Sequence, residues 1–225
     1  MMERILHFFA LYPIDFIAHI GSILPIIIGV LRYKYLTGNI KAIWFFFIVS
    51  FIKDSYSLLL IFTAPNNLYI QNIEPIYQTI IIGSIFYYSF DTSFTRRIIT
   101  VSTVFCTLTT VLYYKDNEAS SVSLSTFRLF AIVLALAYFG KVMMDMRVKN
   151  IMKHSLFWFT SGLLIYTAGT FFIMLLSEYW YQGINKVPID VFDKYWNSSQ
   201  LLLVLFTLLS TVGIWFSKYD VDNVT

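Results

Sequence analysis

Ala42-Ile-Trp-Phe-Phe-Phe-Ile-Val-Ser-Phe-Ile-Lys53-Asp54-Ser-Tyr-Ser-Leu-Leu-Leu-Ile-Phe-Thr63 carries no charge except one adjacent pair of opposite sign near its middle. A helix needs about 20 predominantly apolar residues to cross the hydrocarbon core of a bilayer, and this stretch supplies them. A charge at the bilayer centre costs at least about 2.5–3.5 kcal/mol on insertion scales. The Lys53–Asp54 pair must therefore face protein rather than lipid. Six further stretches read the same way, so that residues 14–31, 42–63, 70–90, 98–114, 124–144, 156–177 and 196–217 are expected to span. The runs are continuous, whereas strands of a membrane barrel alternate over about ten residues. Breakers such as Gly38-Asn39, Pro65-Asn66-Asn67, Asp116-Asn117-Glu118 and Pro188 separate them.

Composition agrees. Only 13% of the residues are charged, against about 25% in soluble domains, because most of the surface faces lipid. The spans consume the length and leave no room for a folded soluble domain. The expected fold class is all-α: a polytopic membrane protein built as a seven-transmembrane helix bundle. Residues 1–13 form an external segment, short enough to lie as an interfacial helix. Residues 14–218 form the bundle, and 219–225 a short cytoplasmic tail. No small-residue cleavage signature marks a removed signal peptide. Cys106 is the only cysteine, which excludes an intrachain disulfide and reads as a small apolar helix residue. The net charge of +3 calls for no nucleic-acid partner.

Orientation follows from where Lys and Arg fall. Ten lie on one side: Arg32, Lys34, Lys41, Arg96, Arg97, Lys141, Arg147, Lys149, Lys153 and Lys218. The other side has four: Arg4, Lys115, Lys186 and Lys194. The basic loops and the C-terminus are thus expected in the cytoplasm and the N-terminus outside. Trp44, Tyr113, Tyr114, Trp180, Tyr195, Trp196 and Trp215 stand at span ends, where aromatic belts form. No internal repeat supports an inverted-repeat transporter.

That orientation places the polar residues by depth. Asp15 and His19, four apart, share a face at the outer mouth of the first span. Lys53 and Asp54 lie at the middle or outer half of the second, pointing about 100° apart and so toward different neighbours. Glu74 and Gln78 lie in the outer part of the third, and Arg128 within the first turns of the fifth. Glu178 and Asn197-Ser-Ser-Gln200 close the outer ends of the sixth and seventh. Such groups turn inward and pair across helices. For Asp15, Arg128 and Glu178, near span ends, a structural network or snorkelling is the simpler reading. Lys53, Asp54, Glu74 and Gln78 suit a structural network or a functional cavity equally. His19 alone would read as a core histidine, but beside Asp15 it is a candidate proton-sensitive group. The candidate ligand-binding set is therefore His19, Lys53, Asp54, Glu74, Gln78 and Arg128. Gly162, Tyr166 and Gly169 form a small-residue stripe that reads as close helix packing. Ser199, Thr207 and Thr211 make a polar stripe whose hydroxyls can bond their own helix.

Other chemistries lack their signatures. There is no HExxH helix, GxSxG elbow or P-loop. His7, His19 and His154 are too dispersed for a metal cluster, and the last span has no deep lysine for a retinal. No catalytic residue, metal or cofactor is implied, and an enzyme is not favoured.

Three places carry a family likeness: Leu24-Pro-Ile-Ile-Ile-Gly before a basic loop, Asn72-Ile-Glu-Pro-Ile-Tyr, and Phe157-Trp through Gly169. In these the chain resembles the seven-helix membrane modules found alone or ahead of bacterial sensor histidine kinases. The resemblance implies sensing of a small ligand or protons and a signal passed to a cytoplasmic partner such as a histidine kinase. Only Tyr-Asp-Val-Asp-Asn-Val-Thr follows Lys218, so the output is expected on a separate chain. The alternatives are a small transporter or proton-coupled carrier, which needs polar access from both faces, and an intramembrane lipid-modifying enzyme using Asp54 and Glu74.

Overall fold

The structure, a computed structural model, describes residues 12–63, 67–145, 150–180 and 187–220. Every regular element among them is helical: α1 (Pro13–Gly21), α2 (Ile23–Leu31), α3 (Gly38–Thr63), α4 (Leu68–Ser89), α5 (Ser93–Leu112), α6 (Ser121–Asp145), α7 (Ser155–Leu175), α8 (Ser177–Trp180) and α9 (Ile189–Phe216). The expected interfacial helix at 1–13 lies almost wholly outside the described residues, as does most of the tail. Of the basic residues used for orientation, Arg4, Arg147, Lys149 and Lys186 also lie outside them.

Five helices are long and apolar enough to cross a bilayer: Pro13–Leu31, Gly38–Thr63, Ser121–Met144, Ser155–Leu175 and Asp190–Tyr219. The chain is thus an all-helical, multi-pass membrane protein. Its apolar side chains point outward as well as inward. Phe105, Leu112 and Met144 are 68%, 80% and 83% exposed, an arrangement that suits lipid and not water.

Helices also fill the other two expected stretches, as α4 and α5, with 22 and 20 residues. Their length suffices for a span, but they are less apolar. In α4 the polar load points into protein, with Asn72 and Gln78 buried. In α5 it is largely threonine. Thr100, Thr103 and Thr109 each donate their hydroxyl to the carbonyl four residues back, at 3.0, 2.7 and 3.0 Å. Such hydroxyls are satisfied within the helix, and Val101, Val104, Phe105 and Leu108 stay exposed beside them.

Helix ends follow local chemistry more than hydropathy. The first span is broken at Ser22. Pro25 has no N–H to offer the Gly21 carbonyl, and the Ser22 hydroxyl bonds the His19 carbonyl at 2.6 Å. α9 starts at Ile189 rather than at residue 196. Pro188 stands at its N-cap and Asp190 in its first turn, favourable to helix initiation, so the helix begins before the apolar run does.

The helices pack in sequence neighbourhoods: α3 on α4, α4 on α5 and α6, α6 on α7, with α9 closing against α7, α1 and α2. The α7–α9 contact is the most extensive. A methyl added at Gly162 would meet Phe206 and Leu209 at 3.0–3.2 Å, one at Gly169 would meet Leu202 at 2.6 Å, and one at Gly213 would meet the Ser155 carbonyl at 2.7 Å. The glycine stripe expected to pack helices does so here. Trp44 departs from the aromatic-belt reading. It is half-buried, donates to the Ile26 carbonyl at 3.0 Å and lies against Gly29, bolting α3 to α2.

Both ends are fastened by polar bonds. At one, the buried Asn72 side chain donates to the Lys115 and Glu118 carbonyls at 2.6 and 2.7 Å and accepts from Ser120 N–H at 3.0 Å. It thereby holds the α5–α6 loop. At the other, Asp220 accepts from the Ser155 N–H at 2.9 Å and lies 3.2 Å from His154 Nδ1, joining the start of α7 to the end of α9. Asn72→Leu strips three backbone groups of their partner at once. The buried Ser120 N–H costs about 1–3 kcal/mol when unsatisfied and the two part-buried carbonyls less, so the variant should lose about 2–4 kcal/mol, read as a clearly lowered melting temperature of the detergent-purified protein.

Candidate functional site

Near the end fastened by Asn72, a cavity of about 200 Å³ opens among α1, α3, α4, α6, α7 and α9. All six candidate residues, His19, Lys53, Asp54, Glu74, Gln78 and Arg128, line it, together with Asp15, Gln71, Tyr166 and Trp196. The helix period explains the convergence. Gln71, Glu74 and Gln78 recur at three and four residues along α4, and Asp15 and His19 at four along α1, so each set shares one face.

Lys53 is the hub. Its Nζ lies 2.6 Å from Asp54 Oδ1 and 2.7 Å from Glu74 Oε2. The sequence led us to expect Lys53 and Asp54 to serve different helices. Instead the long lysine side chain folds back over its neighbour while reaching α4, because one ammonium can satisfy two carboxylates at the cost of one buried cation. The second Glu74 oxygen accepts from Gln78 Nε2 at 2.8 Å.

Arg128 behaves differently from its expected cross-helix pairing. It is 4% exposed. Its Nε donates to Thr170 Oγ1 and its Nη1 to the Leu124 carbonyl, both at 3.0 Å. Thr170 in turn donates to the Tyr166 carbonyl at 2.7 Å, and the guanidinium sits 5.8 Å from the Tyr166 ring centre. Among the described residues no carboxylate forms an ion pair with it.

Among the described residues Asp15 has no cation either. The indole N–H of Trp196 donates to both of its oxygens, at 2.9 and 3.0 Å. His19 stacks on Phe51 with ring centres 4.9 Å apart, and its Nε2 lies 3.4 Å from Ser55 Oγ. Beneath these groups the cavity ends on aromatic rings. Phe47 and Phe206 stand 5.4 Å apart, Tyr166 stacks on Phe206 at 5.6 Å, and Phe46 meets Phe206 at 6.1 Å. Phe159 packs behind them, 5.6 Å from Phe206. The hydroxyls of Ser199 and Thr207 reach the wall but donate to their own helix, to the Trp196 and Val204 carbonyls.

Sequence reasoning took Trp196 for a belt residue, and nothing local to it signals its bond to Asp15. Gln71 was overlooked although its spacing from Glu74 and Gln78 was readable. Tyr166 was assigned to packing and does both, stacking on Phe206 while lining the cavity. Glu178 lies apart from the site, paired with Lys115 at 3.1 Å on the surface. Among the described residues no three His, Cys, Asp or Glu side chains stand together as a metal ion would require. No protein-family model, curated protein or solved structure matches the chain.

Lys53→Met leaves Asp54 and Glu74 facing each other without their shared cation. It should cost about 3 kcal/mol, and adding Glu74→Gln should recover part of that loss; thermal unfolding of the single and double variants measures both. At the rim, the hydrogen bond from Lys115 holds the Glu178 carboxyl below its ordinary range. The stabilisation this gives is present above the ordinary carboxylate pKa and lost as pH falls through the lowered value. Glu178→Gln should therefore flatten the acid limb of a stability–pH curve, by lowering stability slightly at neutral pH and leaving it unchanged below the lowered value.

Proposed function

We propose that the chain is a seven-helix receptor-like sensor of a bacterial inner membrane, with its N-terminus outside and its C-terminus in the cytoplasm. In this reading α4 and α5 complete the set of spans, and the cavity opens toward the outer face. Small solutes or protons reach the charged cluster from outside. Occupancy biases helix packing, and the basic inner loops pass the change to a cytoplasmic partner such as a histidine kinase.

The observation that carries this reading is the one-sided cavity. Charged groups from α1, α3, α4 and α6 converge on it, and a packed aromatic floor of Phe46, Phe47, Tyr166 and Phe206 closes it below. A carrier needs polar access from both faces, which that floor opposes. A purely structural network needs no cavity, since a void loses packing contacts.

Topology and role are tested together. In a Cys106→Ser background, Asn117→Cys should react with a membrane-impermeant maleimide added outside intact cells, and Thr37→Cys only after lysis. In purified protein, Lys53→Gln and Asp54→Asn should change the Trp fluorescence response to a panel of small polar solutes by more than they lower the yield of folded protein. The reverse labelling pattern, an equal loss of folded protein in both variants, or solute accumulation in reconstituted vesicles would overturn the proposal.

A further inference from the structure

The cavity has two poles of opposite sign, and neither is neutralised where it stands. At one wall Arg128, carried by α6 and held against α7, keeps a buried guanidinium with only two of its N–H groups engaged, by a threonine hydroxyl and a carbonyl. At the other, Asp15, carried by α1 and held against α9, is met among the described residues only by the Trp196 N–H. Between them Lys53 serves two carboxylates, Asp54 and Glu74, which leaves one negative charge in excess. The walls are distinct: α1 packs on α2, α3 and α9, whereas α6 packs on α4, α5 and α7.

A buried guanidinium without an anion is costly, and a bidentate carboxylate is its best-matched partner. A bare anion alone would worsen the balance of the site, because its lining already carries three carboxylates against two cations. A bare cation would leave Arg128 unanswered. A molecule carrying both charges answers both poles. The volume of about 200 Å³ equals that of roughly seven waters at ~30 Å³ each, enough for a small organic ion. The aromatic floor of Phe46, Phe47, Tyr166 and Phe206 gives a cationic end ring faces to lie on.

From these features we propose that the cavity binds a small zwitterion. Its carboxylate pairs with Arg128, and its ammonium group sits among Asp15, Asp54 and Glu74. The assignment rests on the sensor reading for the cavity's role, and deepens it by naming the ligand class.

Binding is measured on the purified full chain in lipid nanodiscs, from Trp fluorescence and thermal shift. The probes are glycine, β-alanine and γ-aminobutyrate, with acetate, methylammonium and inorganic phosphate as single-ended controls. At least one amino carboxylate should bind about tenfold more tightly than every control, a difference of one decade in Kd. Arg128→Lys, which keeps the charge and loses the planar fork, should weaken that probe about tenfold and leave methylammonium unchanged. Asp15→Asn should weaken the same probe and leave acetate unchanged. Acetate or phosphate binding as tightly as the amino carboxylates would overturn the assignment in favour of a simple anion site. Methylammonium binding as tightly would do so in favour of a cation site. Failure of all three amino carboxylates with folded wild-type protein would overturn it outright. A different pattern, tight zwitterion binding that leaves labels on the inner ends of α4 and α9 at unchanged separation, would sink the sensor reading and leave the ligand class standing.

Discussion

The bridge from Lys53 to Asp54 and Glu74 is the constraint on which the arrangement depends. In lipid, a single unpaired charge on α3 would forfeit several kcal/mol, so α3 must present its middle to another helix. The partner that answers is Glu74 on α4, at 2.7 Å. Once α3 and α4 are tied there, Gln78 is drawn in by the second Glu74 oxygen, and the polar face of α4 is turned away from lipid. That rotation puts Asn72 at the top of the helix, in reach of the loop before α6. One charge requirement thus sets the rotation of two helices and the position of a third.

The same bridge leaves space behind it. Three side chains gathered on one ammonium cannot interdigitate as aliphatic groups do, because oxygens and nitrogens are fixed by distance and angle rather than by shape. The space persists because its floor cannot rise. Phe47, Tyr166 and Phe206 are wedged against one another, with Phe159 packed behind Phe206. Arg128 is held from collapsing into the space by Thr170 and the Leu124 carbonyl.

The positions of the helices were legible because the bilayer admits few alternatives. A continuous apolar run of span length has to be helical, and helices occupy each stretch so read, the first of them as two, α1 and α2, broken at Ser22. The gathering of His19, Lys53, Asp54, Glu74, Gln78 and Arg128 was legible for the same reason, since groups excluded from lipid must meet. Pairing was not. It depends on side-chain reach and on helix rotation, which adjacent letters do not encode. Lys53 bends back to Asp54 against the simple angular expectation, and among the described residues Arg128 has no acid although two stand on α3 and α4. Helix ends were legible only in part, because Pro188 and Asp190 start α9 outside its apolar run. In α5 threonines lower the apolar character of the helix, although the hydroxyls of Thr100, Thr103 and Thr109 are spent on their own helix carbonyls.

What joins the cavity to the opposite end is the α7–α9 pair. Gly162, Gly169 and Gly213 let these helices approach until backbone meets side chain and even backbone, so neither can slide or rotate alone without a clash. Tyr166 on α7 and Phe206 on α9 stack with their planes 8° apart at the cavity floor. At the far end Asp220, just beyond α9, accepts from the first N–H of α7. A solute that pressed on the Tyr166–Phe206 stack would therefore find no soft element to absorb the displacement nearby. Close-packed interfaces do not deform continuously, so the pair would move as one body, and its motion would emerge at the Ser155–Asp220 junction. The basic residues Arg32 and Lys218 belong to that junction's surroundings, held over the Trp215 and Tyr35 rings at 4.0 and 6.0 Å. The cavity floor and the Ser155–Asp220 junction are in this way joined by one closely packed helix pair.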